Sequence, residues 1–186
     1  MLETLMNLVR QQSGDAIVNN PAIPNEQNDN AMQAVLQGIM GGMQQQAQGG
    51  NLGGLLGTVM GRQQTDLNNP VVGGISNNVV GNLTERLGIS PAVASGIAAT
   101  VVPMVLSRLF AKAKDPNDNS VDLGGLMSQA TGNQQAAGMD WMGMAQSAMA
   151  DGKLDMNDLM RAMSGGGGSN AGGGLGGMLG GLFGGR

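Results

Sequence analysis

The chain has 186 residues, a net charge of −4, and no His, Cys or Tyr. The side chains that most often perform acid–base, nucleophilic and metal chemistry are therefore absent. Nine basic residues against 13 acidic ones, with only 2% aromatic residues, argue against binding of nucleic acid, which needs basic and stacking surfaces. We expect no enzymatic activity and no cofactor.

The N-terminal third of the chain predicts helices. Residues 2–9 repeat apolar side chains at helical spacing and predict an amphipathic helix that ends near Gly14. Residues 32–43 repeat them opposite a face of Gln and Asn, which predicts a surface helix with one buried stripe, broken at Gly49-Gly50. The short apolar segment 52–60 predicts a further helix that its three glycines weaken.

Two longer helices are predicted next, each with start and stop signals. Asn69-Pro70 matches a helix cap followed by the first helical residue, and residues 75–87 continue as an apolar stripe. Gly88 is placed to end this helix in a left-handed conformation. Ser90-Pro91 then caps and starts the next helix in the same way.

The helix that follows Ser90-Pro91 is predicted to be the most buried element of the chain. The 21 residues between Arg86 and Arg108 are uncharged and long enough to span a membrane, but Gly, Ser and Pro interrupt them. We therefore predict a buried core helix. Because residues 92–106 are apolar on nearly all sides, this helix should lie in the middle of the array, surrounded by the others. Pro103 is expected to kink it.

The helices predicted in the C-terminal third are shorter than those before them. Residues 115–118 predict a turn, and Asp122 is placed to cap a short helix that reaches Met127. Residues 132–138 are small and polar and predict a linker, before two short helices over 140–150 and 156–163. No segment alternates like a strand. We predict an all-α fold, a small multihelical array around a central apolar, Pro-kinked helix, with a glycine-rich C-terminal tail.

Two stretches carry a resemblance to a known family. One is the run from Asn19 to Asn28, Asn-Asn-Pro-Ala-Ile-Pro-Asn-Glu-Gln-Asn, with the Gln-rich helix after it. The other is Leu87-Gly88-Ile89-Ser90-Pro91 through Pro103-Met104-Val105. Together they resemble the bacterial YidB-like family of unknown function, over roughly residues 1–130. The resemblance implies a small multihelical bacterial domain and brings no catalytic residues.

Beyond that domain we predict two further segments. Residues 131–164 form a short helical extension, and residues 165–186 form a glycine-rich, low-complexity tail. In the tail, glycines recur every four residues between apolar pairs, the spacing of closely packed helices in membranes. Glycine resists helix formation in water, however, and flexible disorder is the expectation for the isolated tail.

One turn in the extension partly resembles a metal-binding site. Residues 151–158 resemble the second half of a calcium-binding EF-hand loop, in which Asp151, Asp155 and Asp158 would be ligands. The first and third ligand positions would be Ser147 and Met149, and a thioether supplies no oxygen to calcium. We predict a degenerate turn without tight metal binding. The other carboxylates fall at predicted caps, turns and helix exteriors, so no catalytic pair is expected.

These observations favour a cytoplasmic bacterial domain that acts through association with itself or with another protein. No small-molecule substrate is evident. Two alternatives remain open, a protein that contacts the membrane surface through residues 165–186 and a module weakly modulated by calcium.

Overall fold

A computed structural model describes residues 2–143 apart from 116, 119, 133 and 142. Every regular element in this part of the chain is helical, which confirms the all-α prediction. The α-helices are α1 (Leu2–Gln12), α2 (Asn28–Gln48), α3 (Leu52–Val59), α4 (Pro70–Leu87), α5 (Pro91–Lys114) and α6 (Leu123–Thr131). A π-helical turn (Gly14–Val18) and two 3-10 turns (Asn25–Gln27 and Gln134–Gly138) complete the described elements.

The predicted helix caps are present. The Asn69 side chain accepts a hydrogen bond from the Val71 backbone N–H at 2.9 Å and starts α4. Gly88 ends α4 in the left-handed region with φ +68°, which only glycine adopts without strain. Asp122 accepts a hydrogen bond from Gly125 N–H at 2.7 Å and caps α6. This last helix continues to Thr131, beyond the predicted end at Met127.

The apolar helix α5 is central, as predicted, because it contacts each of the other five α-helices and the π-helical turn. The expectation that its neighbours surround it on all sides is wrong. One face of α5 is open to solvent, and its side chains are small apart from one methionine: Ala92, Ser95, Gly96, Ala99, Thr100 and Met104. Small and hydroxyl side chains offer little apolar area, so leaving this face uncovered costs little free energy.

Helix α2 is buried over a broader arc than the single stripe predicted for a surface helix. Ten of its 21 residues are buried, against nine of 24 in α5, so the prediction that α5 is the most buried element is wrong. The reason is its small residues, since Gly38 and Gly42 are buried and allow α4 to approach closely. The side of α2 that stays exposed is its row of glutamines, as the sequence indicated.

The segment predicted as a linker after α6 is instead structured over residues 134–138. This 3-10 turn packs back on α6, and a Cβ on Gly124 would clash with the Ala137 carbonyl oxygen. Trp141, just beyond the turn, is only 5% exposed and belongs to the same apolar core as the preceding helices. The linker prediction was wrong because residues 134–138 include glutamine and alanine, which favour helical conformations, and because the large aromatic Trp141 that follows them joins the core.

A buried polar cluster fixes the connection between α3 and α4. The Asn69 side-chain amide donates hydrogen bonds to Thr58 Oγ1 at 3.0 Å and to the Gln64 carbonyl at 2.9 Å. Thr58 Oγ1 donates in turn to the Gly54 carbonyl at 2.8 Å. Asn69 thus uses its amide inside the fold and its carbonyl oxygen to cap α4. Buried polar groups that are fully paired in this way orient a loop without a desolvation penalty.

Candidate functional site

The residues that the sequence singled out for calcium lie outside the described part of the chain. These residues are Asp151, Asp155 and Asp158. The glycine-rich tail over residues 165–186 also lies outside the described part. Among the described residues, no group of three acidic side chains comes together in a way that could hold a metal ion. The calcium turn and the tail therefore stay predictions.

The described carboxylates that form hydrogen bonds act mainly as local caps, as the sequence predicted. Asp66 accepts hydrogen bonds from the backbone of Asn68 and Asn69, and Asp122 caps α6. Asp115 accepts from the Asn117 N–H at 2.9 Å and closes the turn after α5. Each of these oxygens satisfies a nearby backbone donor.

One carboxylate has a clearly shifted pKa. Asp118 forms an ion pair with Lys112 in the last turn of α5, at 2.5 Å between Oδ2 and Nζ. The hydrogen bond from Lys112, followed by those from Ser120, lowers the pKa of Asp118 from its usual 3.8 to about 2. The pair fastens the turn after α5 back onto the helix. It needs no catalytic role to explain it.

A wide concavity lies between the C-terminal half of α2 and the exposed side of α4. It has a volume of about 890 Å³ and opens widely to solvent. We call it the amide cleft, because its walls carry six side-chain amides: Gln45, Gln46, Asn51, Asn77, Asn78 and Asn82. Four glycines and the carboxylate of Glu85 complete the lining.

The close packing of α2 on α4 positions these amides. Gly38 and Gly42 lie one helical turn apart on α2 and face the backbone of Val79 and Ile75 on α4. Since no side chain separates the two helices there, the next turn of each helix is brought within reach of the other. The Asn78 side chain donates a hydrogen bond to Gln45 across the helix pair.

A second hydrogen bond lies at the end of the cleft near Gly49 and Gly50. The Asn51 amide donates to Gln46 Oε1 at 2.8 Å and ties the start of α3 to the end of α2. The Gln46 amide nitrogen lies directly over Gly74, where a Cβ would collide with it. Glycine at position 74 is therefore required for Gln46 to lie in this position.

The second candidate surface is the open side of α5. We call it the α5 face and define it by Ala92, Ser95, Gly96, Ala99, Thr100 and Met104. Within the described residues, α5 alone is long and apolar enough to cross a membrane, with a mean hydropathy of 1.7, and only half of that window is buried.

Sequence reasoning missed both surfaces. The amide cleft has a signal in the sequence, the Gly38-x-x-x-Gly42 spacing followed by Gln45-Gln46 on one helix and Asn77-Asn78 on another. Which helix would lie against those glycines could not be read from the sequence. The α5 face was hidden because its residues are the small, apolar kind that a core helix also contains.

Comparison with protein-family models, with curated proteins and with solved structures gave no match to this chain. The resemblance to the YidB-like family therefore stays a prediction that rests on its two sequence stretches. The description of this protein's function depends on its own geometry.

Proposed function

We propose that this chain is a non-catalytic helical module that works by association, and that the α5 face is where a second copy binds. The observation that carries the proposal is the half-exposed state of α5, which is the longest helix in the described structure and the one apolar enough over its length to cross a membrane. Met104 on this face is 38% exposed and is one of four large apolar side chains exposed in the described part of the chain. A methionine adapts its shape to different partners and is frequent on association surfaces.

The small residues of the α5 face favour a helix as the partner. Gly96 and Thr100 lie one turn apart, and Ser95 and Ala99 form a parallel column beside them. Two helices with small residues at four-residue spacing can approach until their backbones are nearly in contact. The α5 face of a second copy has the same small residues, so the pairing is self-complementary, as two-fold symmetric dimers require.

Charge also favours self-association at this face. The chain carries a net charge of −4, so two copies repel each other over much of their surface. None of the six residues that define the α5 face is charged, so contact restricted to them buries no charge. The carboxylate of Asp15, which lines the hollow beside Gly96 and Thr100, has to stay at the rim of the contact, in water.

Sedimentation velocity over a range of protein concentrations tests the proposal. Gly96→Arg should abolish concentration-dependent association, because the arginine would occupy the space in which the second helix packs. The fold should be preserved, because a Cβ at Gly96 meets no atom within 4 Å. Gly81→Arg on α4 is the matched control, since Gly81 is equally open and lies on a different surface. Association that survives Gly96→Arg, or a wild type that is monomeric throughout, would refute the proposal.

A membrane-surface role is the second candidate, favoured by the hydropathy of α5. Flotation with liposomes separates it from self-association. Wild-type protein that floats, together with Gly96→Arg that does not, would assign the α5 face to lipid. The cytoplasmic bacterial location and the weak calcium alternative stay predictions.

A further inference from the structure

We propose that the amide cleft binds an extended peptide segment, neutral or basic in charge, mainly through hydrogen bonds to the peptide backbone. The proposal concerns a different surface from the α5 face and does not depend on self-association.

The hydrogen-bonding groups of the cleft match those of a peptide. Each side-chain amide offers both a donor and an acceptor, as each peptide group does. Asn77 is exposed and has no side-chain hydrogen bond to another described residue. Asn82 donates its amide to the Asn78 carbonyl at 3.0 Å and keeps its oxygen available as an acceptor. The α4 wall thus carries both a free donor and free acceptors.

The shape of the cleft allows a backbone to lie close to its floor. Gly81 lies on the α4 wall, and a Cβ there would meet no atom within 4 Å. At the opposite end Gly49 and Gly50 are exposed and carry no side chain that would narrow the entrance. A chain in extended conformation needs such an open, shallow channel, because its side chains project to both sides of the backbone.

The lining disfavours other ligand classes. None of the described lining residues is basic, so phosphate groups and nucleic acids would find no counter-charge. No aromatic residue lines the cleft, which removes the stacking platform on which bases are held. No large apolar side chain lines it either, which disfavours lipids.

One ionisable group is present among the described lining residues, and it selects among peptides. Glu85 stands at one end of the α4 wall and is exposed. Its carboxylate attracts an ammonium or guanidinium group and repels an acidic side chain. Neutral or basic segments are therefore expected to bind better than acidic ones.

Selection from a random peptide library displayed on phage, against the full-length protein, provides the test. We expect enrichment of peptides poor in Asp and Glu that bind wild type and Gly96→Arg alike. Gly81→Arg, which places a long charged side chain in the cleft from the α4 wall, should weaken their binding by about tenfold or more, equivalent to about 1.4 kcal/mol. Asn77→Ala, which removes side-chain hydrogen bonds without filling the cleft, should weaken binding to a smaller extent.

Three results would overturn the proposal. One is the absence of enriched peptides, and another is enriched peptides that bind Gly81→Arg as well as wild type. The third is binding of oligosaccharides, on a glycan array, that Gly81→Arg abolishes while no peptide binds. Because Gly96→Arg should leave peptide binding intact, a failure of this proposal is distinguishable from a failure of self-association at the α5 face.

Discussion

Gly38 of α2 lies against Val79 of α4 so closely that no side chain fits between them. A Cβ on Gly38 would lie 2.5 Å from Val79 Cα, and a Cβ on Gly42 would lie 2.7 Å from Ile75 Cα. Both distances are far below ordinary van der Waals contact, so the backbones of the two helices touch at these points. This contact sets the position of the amides one turn further along each helix.

Gly38→Ala should therefore destabilise the fold, although alanine is the better helix former. Alanine gains up to about 1 kcal/mol in helix preference, but α2 and α4 must move apart to admit the methyl group. We expect a net loss of about 1–3 kcal/mol in the free energy of unfolding, measured by urea denaturation. Gly81→Ala is the control and should be neutral or stabilising, because its Cβ meets no atom within 4 Å. A stabilised Gly38→Ala would show that the helices are not in contact there.

Val101→Asp tests the buried side of α5. Val101 is fully buried, and the carboxylate would enter the core without a partner, at a cost of about 3 kcal/mol or more. Thr100→Asp changes the adjacent residue, which is exposed, and should alter the unfolding free energy by less than about 0.5 kcal/mol. Both variants are measured at a concentration where the protein is monomeric, because Thr100 belongs to the α5 face and a dimer would add to the apparent stability. Thermal unfolding followed by circular dichroism compares the two. Equal melting temperatures for both variants would mean that α5 is not oriented as described.

Asn69→Ala tests the polar cluster between α3 and α4. The change removes the cap of α4 and the donor to Thr58 and Gln64, so we expect a loss of about 2–3 kcal/mol. Asn68→Ala, at the exposed neighbouring position, is the control and should cost little. If urea unfolding gave similar values for both, the hydrogen bonds of Asn69 would not contribute to stability.

The Lys112–Asp118 pair predicts a pH dependence. Since folding lowers the pKa of Asp118 from 3.8 to about 2, the pair stabilises the fold above pH 3.8, and that contribution is lost as the pH falls toward 2. Lys112→Gln should raise the pKa of Asp118 toward 3.8, while the hydrogen bonds from Ser120 keep it somewhat below that value. NMR titration of the Asp118 carboxyl carbon measures both. An unchanged pKa in Lys112→Gln would contradict the ion pair.

The helix boundaries were largely predictable from local chemistry. Asn69-Pro70, Gly88 and Asp122 each act within a few residues along the chain, and such signals do not depend on the rest of the fold. The position of the apolar helix α5, in contact with every other α-helix, also followed from its composition. Capping residues and average hydropathy can be read directly from the sequence.

The packing of one helix against another was harder to predict from the sequence. The open side of α5 and the broad burial of α2 depend on which helices pack together, and small residues are compatible with either a close contact or an exposed face. The 3-10 turn over residues 134–138 was missed because Trp141, which joins the core, lies several residues further on. The amide cleft was missed for the same reason, since its two walls are about 30 residues apart in sequence.

The central claim, that two copies meet through the α5 face, is most directly tested by paramagnetic NMR on mixed samples. Because the chain has no cysteine, Ser107→Cys provides a unique site for a spin label, on the exposed side of α5 one turn beyond Met104. The spin-labelled protein, at natural isotope abundance, is mixed with ¹⁵N-labelled wild type. Any broadening of the observed signals then arises between copies. We predict broadening of amide signals concentrated in residues 92–108. No broadening at concentrations where the protein sediments as a dimer, or broadening centred on Gly81 and Asn82 of α4, would contradict the claim.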